Sequence, residues 1–159
     1  MSLDLERRVR MIEDRLSVRV ENTYYDSGTW TPAFTGTTIA GTFTYLGAVG
    51  LWTRFGNNIF IHAYVQISAI SVSPTGNMTI TGLPYTADNL GVDFSLAIGF
   101  ASNINTSANI VQLTAIVRLN TARIDLYEAF DNVASTQYPA ANFTNANAAI
   151  ELSGVYRIA

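Results

Sequence analysis

Few residues in this chain are equipped for bond-making chemistry. It has one histidine, His62, and no cysteine, which excludes disulfides, thiolate metal sites and cysteine nucleophiles. His62 sits inside the apolar run from Ile59 to Ala69, and no nucleophile-elbow pattern accompanies it to build a Ser-His-Asp arrangement. It reads as a packed or interface residue that could lend pH sensitivity. The closest group of carboxylates is Asp125, Glu128 and Asp131. Cleavage of a glycosidic bond needs two carboxyls ~5–5.5 or ~6.5–9.5 Å apart across a cleft. In a strand Asp125 and Glu128 point to opposite faces, so the group reads as a solvated strand end. The Asp-x-Asp-x-Asp-Gly calcium loop is missing, and Gly47-Ala48-Val49-Gly50 lacks the lysine and helix of a phosphate cradle. No catalytic or metal-ligating residue is assigned, no cofactor is expected, and the chain is read as non-enzymatic.

Composition narrows the elements that must carry any function. The 159 residues suffice for one domain with a real core. Charged residues make up 13% and hydrophobic ones 48%, which is too apolar for disorder. All nine cations are arginine and the net charge is −3, so nucleic-acid binding lacks its main source of affinity. No apolar run reaches the ~18 residues of a membrane span, and the charged stretch from Asp4 to Arg10 carries no signal-peptide core. Ten of the 21 charges fall within the first 22 residues. That step divides the chain into a segment over 1–21 and a domain over 22–159.

The first segment reads as a helix from Ser2 to Val20. Leu5, Val9, Ile12 and Leu16 recur in steps of four, three and four, the period of a coiled-coil seam. With Leu5 and Ile12 at d and Val9 and Leu16 at a, Arg8 falls at g and Glu13 at e, an opposite-charge pair between parallel neighbours. A lone helix this short is marginal in water, so it needs partners. Core residue types point both ways, Val9 with Leu5 toward dimers and Leu16 with Ile12 toward higher states. The hexapeptide Arg8-Val9-Arg10-Met11-Ile12-Glu13 resembles the short trimerisation motif of parallel coiled coils. A parallel trimer is expected, with Leu5, Arg8, Val9, Ile12, Glu13 and Leu16 as its contacts.

Beyond Asn22 the period becomes two. Ile59, Ile61, Ala63, Val65, Ile67 and Ala69 alternate with Phe60, His62, Tyr64, Gln66 and Ser68. Val92 to Ala101 and Val111 to Leu119 alternate likewise, and shorter runs lie at Thr42–Leu46, Leu51–Phe55, Met78–Thr81, Arg123–Ala129 and Ala148–Ile158. Turn signals separate them, including Gly56-Asn57, Pro74-Thr75-Gly76 and Asn120-Thr121. About eight strands without intervening helices predict an all-β antiparallel, jelly-roll-like sandwich. Several strands are apolar on both faces, whereas a sheet with one wet face should be polar there. A subunit interface around a trimer axis supplies the second buried face.

Gly28-Thr29-Trp30-Thr31-Pro32, Tyr45, Val49-Gly50-Leu51-Trp52-Thr53-Arg54-Phe55-Gly56-Asn57 and Ile80-Thr81-Gly82-Leu83-Pro84-Tyr85 occur in this order along the chain. They resemble the C-terminal module of bacteriophage tail fibres and tailspikes, in which a GTWTP start leads to a VGxYTRxGN strand pair and a TGLP turn. The match spans about residues 24 to 90. Leu51 and Trp52 depart from it, standing where the family often has a polar residue and tyrosine. The resemblance implies a homotrimeric distal domain in the virion, at the tail tip and extracellular, made in the host cytoplasm and joined to the rest of the tail or baseplate.

Saccharides are recognised by aromatic faces and planar amides. The polar connection from Asp131 to Asn147 exceeds the ~12–15 residues of an ordinary loop. Tyr127, Asp131, Asn132, Gln137 and Tyr138 are therefore expected to form a shallow carbohydrate-binding patch. An ordinary long loop packing on a neighbouring subunit is the equal alternative. Trp30 and Trp52 are read as structural. The leading expectation is a receptor-binding head that attaches to a bacterial cell-surface polysaccharide. The alternative is a non-binding cap that trimerises and folds a longer fibre. A depolymerase ranks third. Nucleic acid and membrane insertion are excluded as partners.

Overall fold

A computed structural model describes residues 4–12 and 24–159. Residues 4–12 form helix α1. Its side chains Leu5, Val9 and Ile12 are all exposed on the single chain, as are the other residues of the helix. Glu13 and Leu16, the remaining expected contacts, lie outside the described residues.

The all-β, antiparallel expectation holds for the body. The described residues form ten strands: β1 Tyr25–Trp30, β2 Ala33–Gly36, β3 Thr42–Phe55, β4 Asn58–Val72, β5 Met78–Thr81, β6 Phe94–Ser102, β7 Ile110–Val117, β8 Arg123–Phe130, β9 Thr136–Gln137 and β10 Ala149–Arg157. Pairing runs without a break in the order β1-β3-β4-β10-β6-β7-β8-β5-β2, with β9 added to β8. The sheet curls until its ends meet. The Tyr45 hydroxyl on β3 accepts from the Phe34 N–H on β2 at 2.9 Å, and the Phe34, Phe43 and Phe143 rings cluster behind that contact. One core fills the interior, with Ile59, Ile61, Val65 and Ile67 from β4 packed on Ile124, Leu126, Ile150 and Leu152.

The β3–β4 hairpin frames this core. Phe55 pairs with Asn58, leaving a two-residue loop, and Gly56 takes φ +60 as the first residue of a II′ turn does. Gly50 is required for a different reason. A Cβ there would meet the Trp30 indole at 2.2 Å, so the missing side chain lets Trp30 lie flat against β3 and be buried.

Besides β3, whose ladder with β4 shifts register near Thr42–Gly47, β6 and β7 depart from strict alternation. Phe100 is expected on the inner face with Leu96 and Ile98, yet it is 47% exposed, because a bulge on β6 shifts the register between Ile98 and Phe100. A second bulge, between Ile110 and Gln112, turns Val111 outward. Each extra residue flips the side chains beyond it to the other face. The neighbours part before these bulges are reached: β6 and β7 pair only at Phe94–Leu96 with Val117–Ala115, although each strand continues for several residues.

Candidate functional site

The outer face of the sheet divides into an apolar half and a polar half. Cross-strand register fixes one row of outward side chains, Leu51 on β3, His62 on β4, Ser153 on β10 and Ala97 on β6. Beside it run Thr53, Phe60 and Val155 on one side and Val49 and Tyr64 on the other. Val49, Leu51 and Phe60 are each about half exposed, so the doubly apolar strands do present greasy side chains outward. His62 is exposed with them rather than packed. Its Nε2 lies 3.1 Å from the Glu151 Oε1, the polar spot of this half.

The same row continues past the gap between β6 and β7 as Thr114 on β7, Tyr127 on β8 and Gln137 on β9. Here the chemistry changes. Asp125 points outward from β8 yet is 1% exposed, because other side chains close over it. The Arg118 Nε donates to Oδ2 at 2.9 Å and the Gln137 Nε2 at 3.0 Å. The Arg123 Nε lies 2.7 Å from Oδ1 in an ion pair without hydrogen-bond alignment. Arg118 also donates to Asp93 at 2.9 Å and to the Tyr127 hydroxyl at 2.7 Å, and the Asn77 amide donates to Gln137. The hydrogen bond to Asp125 holds the Arg118 guanidinium above its ordinary pKa, so its charge is fixed over any accessible pH.

Glu128 lies on the opposite face of β8 and is fully buried. The Ser107 N–H and hydroxyl donate to it at 2.7 and 2.6 Å. Asp125 and Glu128 thus point to opposite faces, as strand geometry requires, but neither is solvated. One organises the outer surface and the other pins a loop to the core.

The residues expected to form a glycan patch separate. Tyr127 and Gln137 are neighbours on the outer face. Asp131 and Asn132 sit exposed in the turn after β8, where Asn132 adopts φ +60. Tyr138 is wholly buried and its hydroxyl donates to the Asn105 carbonyl at 2.6 Å. Burial, with the nearby Glu128, raises its pKa, and its ring is closed to any ligand. The segment from Asp131 to Asn147 is no loose loop: it adds β9, a 3-10 turn over Ala140–Asn142 and the buried Phe143.

That same end of the sheet, where β6 and β8 finish and β7 and β10 begin, carries a lattice of amides that no sequence motif announces. The Asn145 side chain donates to the Asn105 amide oxygen at 2.8 Å and to the Asn103 carbonyl at 3.2 Å. Asn105 donates to the Thr144 hydroxyl at 2.9 Å, and Asn103 to the Asn147 carbonyl at 3.2 Å. Asn103, Asn109, Asn132 and Asn147 all adopt positive φ, a conformation that asparagine tolerates better than most residues. The dense asparagine spacing is the signal that could have found it. Among the described residues no cluster of His, Cys, Asp and Glu could hold a metal ion, and no helix is long and apolar enough to cross a membrane.

Comparison with known proteins places this architecture. No protein-family profile matches the chain. A capsule KN4-specific depolymerase of Klebsiella phage K64-1 is 33% identical over 72 residues, which make up 45% of this chain and 9% of that protein. The crystal structure of the Dettilon tailspike protein matches with a TM-score of 0.67 at 22% identity, over 84% of this chain and 24% of that one. The two matches support a phage tail fibre or tailspike domain, as the GTWTP, TRFGN and TGLP motifs imply, and with it a location on the virion tail. The chain spans less than a quarter of the length of either protein.

The depolymerase match corrects one expectation. A non-enzymatic chain is expected for want of a nucleophile, a general base and a paired carboxylate, but this relative is named as an enzyme. The match covers only 9% of that relative, so the side chains of this domain do not decide the question.

Proposed function

We propose that this chain is the attachment domain of a phage tailspike or tail fibre, that it works as a homotrimer, and that it holds the tail against a bacterial surface polysaccharide. The observation that carries the reading is the apolar outer face around Val49, Leu51 and Phe60. Contiguous exposed apolar surface of this kind marks an interface, and the tailspike likeness makes further copies of the same chain its natural cover. The exposed seam of α1 supports parallel association of the same copies. Capsule is the ligand class carried over from the depolymerase's name. Tyr127 and Gln137, with Asp131 and Asn132 at the end of the sheet, provide aromatic and amide groups for sugar contacts. Three weak sites on one particle raise avidity well above single-site affinity. The remainder of the tail or baseplate is its other partner.

Light scattering on the purified protein tests the assembly: a particle of three times 17.3 kDa is expected, and a single-chain particle at micromolar concentration overturns it. Capture of the trimer on purified capsules, with assay of their depolymerisation in the same samples, tests attachment. A trimer that captures no polysaccharide would leave only a role as a folding and trimerisation cap, the reading that the apolar face alone favours.

A further inference from the structure

We infer that the fork between β6 and β7 is the groove that holds the saccharide, and that the saccharide it takes is neutral; this rests on the attachment reading above. The fork opens where β6–β7 pairing ends, and each strand carries a bulge further along its open stretch. Beyond Leu96 and Ala115 the ladder stops, and the two backbones diverge toward the asparagine-rich end. Two clefts occupy the opening, of about 720 and 250 Å³, and Gln112 lines both. Together they fall in the size range of ligand sites, ~300–1,000 Å³. The open stretch of β6 from Ala97 to Ser102 gives a length of roughly 20 Å at ~3.3 Å per residue. An extended ligand fits such a trough better than a compact one.

The lining decides the ligand class. Among the described residues no charged side chain lines either cleft, although Arg118, Arg123, Asp93 and Asp125 lie on the same face nearby. Those four are turned on one another, leaving the groove without a fixed charge to meet a uronate or phosphate. What it offers instead is Gln112, Thr114, Ser95 and Ser153 over a floor of Leu96 and Ala115, with backbone N–H and C=O groups along two strand edges. Hydroxyl and amide groups above an apolar floor suit a sugar ring, which is polar at its rim and apolar on its faces. Tyr127 stands directly across the ladder from Thr114 and flanks the groove.

Open edges also invite a peptide strand. The bulges argue against one. Each open edge is interrupted, at Ile98–Phe100 on β6 and at Ile110–Gln112 on β7, so an inserted strand would lose its ladder partway along both sides. A saccharide needs no such continuity.

The test uses the intact assembled protein and a panel of purified capsular polysaccharides, some neutral and some containing uronate. Three variants are compared with wild type: Gln112→Ala combined with Thr114→Ala, which removes two hydrogen-bonding groups; Ala97→Trp, which fills the groove from an exposed position; and Asn89→Ala, an exposed control outside it. Circular dichroism melting and light scattering accompany each. The expected result is capture of a neutral polysaccharide by wild type and the control, weakening of about tenfold or more in the double variant, and loss of capture in Ala97→Trp, with melting and assembly unchanged. Equal binding by the groove variants would overturn the groove while leaving attachment standing. Capture of uronate-containing polymers alone would overturn the neutral class. A change of association state in the groove variants would make the fork a subunit contact and overturn the inference. No capture by wild type would remove the attachment reading itself, and the groove with it.

Discussion

The two halves of the outer sheet face lie on one continuous ladder and solve opposite problems. Around Leu51, Phe60 and Val155 the outward side chains are apolar and open, a surface whose stability waits on whatever covers it. Around Asp125 the outward side chains are charged and already satisfied, since Arg118, Arg123 and Gln137 close over the carboxylate within the same chain. A sheet face is therefore not wet or dry as a unit. On the proposed reading the apolar half is completed by association; the polar half is completed by its own ion pairs, and the fork between β6 and β7 marks where one becomes the other.

The largest effect should come from breaking the polar half. Asp125→Ala removes the carboxylate that Arg123 faces and that Arg118 and the Gln137 amide donate to, leaving Arg118 only Asp93 and Tyr127, and should cost about 3 kcal/mol of stability, since loss of one partner of a buried pair costs ~3–5 kcal/mol and both arginines remain partly solvated. Chemical denaturation reads this directly; a loss under ~1 kcal/mol, the worth of an ordinary surface pair, would mean that the network is ornamental. Next, Leu51→Glu with Phe60→Glu should leave the fold of each chain intact while lowering association by roughly a hundredfold or more, on the order of two apolar anchors lost from an interface. Sedimentation with circular dichroism separates the two readouts, and unchanged association would show that this face is not a subunit contact. Ile12→Asp sharpens the contrast further: the helical stem should come apart while the β domain stays associated, and dissociation of the whole particle would put the assembly energy in α1 instead.

Tyrosine ionisation compares inside with outside. Burial raises the pKa of Tyr138 and Tyr156, and of Tyr45 despite its bond to the Phe34 backbone. Their neutral forms are favoured by folding, so that contribution is complete below the ordinary tyrosine pKa of ~10 and is lost as pH climbs above it. Absorbance titration should show the buried Tyr138 and Tyr156 ionising only as the protein unfolds. Ionisation of all eight tyrosines in one step with the fold intact would contradict the burial. The smallest effect is expected at His62. Its contact with Glu151 is solvent-exposed on the single chain, and His62→Ala should change single-chain stability by less than ~1 kcal/mol.

Much of the framework is legible in the sequence because alternation is a strong signal where one face is dry. The β4 run from Ile59 to Ile67 is buried at every second position, as its pattern predicts, and the Gly56-Asn57 turn joins the strands that it separates. The bulges are not legible, since one extra residue leaves composition untouched while moving Phe100 and Val111 to the outside. The carboxylates mislead for a related reason. A sequence shows that Asp125 and Glu128 lie on opposite faces, but not that Arg118, seven positions away, and Ser107, on another loop, cover them. Tyr138 sits in a polar stretch whose neighbours Asn142 and Asn145 disguise a segment that dives into the core. Within the carbohydrate patch, only the Tyr127–Gln137 neighbourhood comes together, through the short pairing of β9 with β8.

The place of β10 has a bearing on how the polypeptide is made. Residues 149–157 are threaded between β4 and β6, hydrogen-bonded on both sides at the middle of the sheet. During synthesis everything upstream must wait, half-zipped, until those residues clear the ribosome. A product cut short before them would expose two facing seams instead of one closed wall, and so could not pass for a finished particle. Placing this strand centrally makes the synthesis of residues 149–157 a condition for a native sheet.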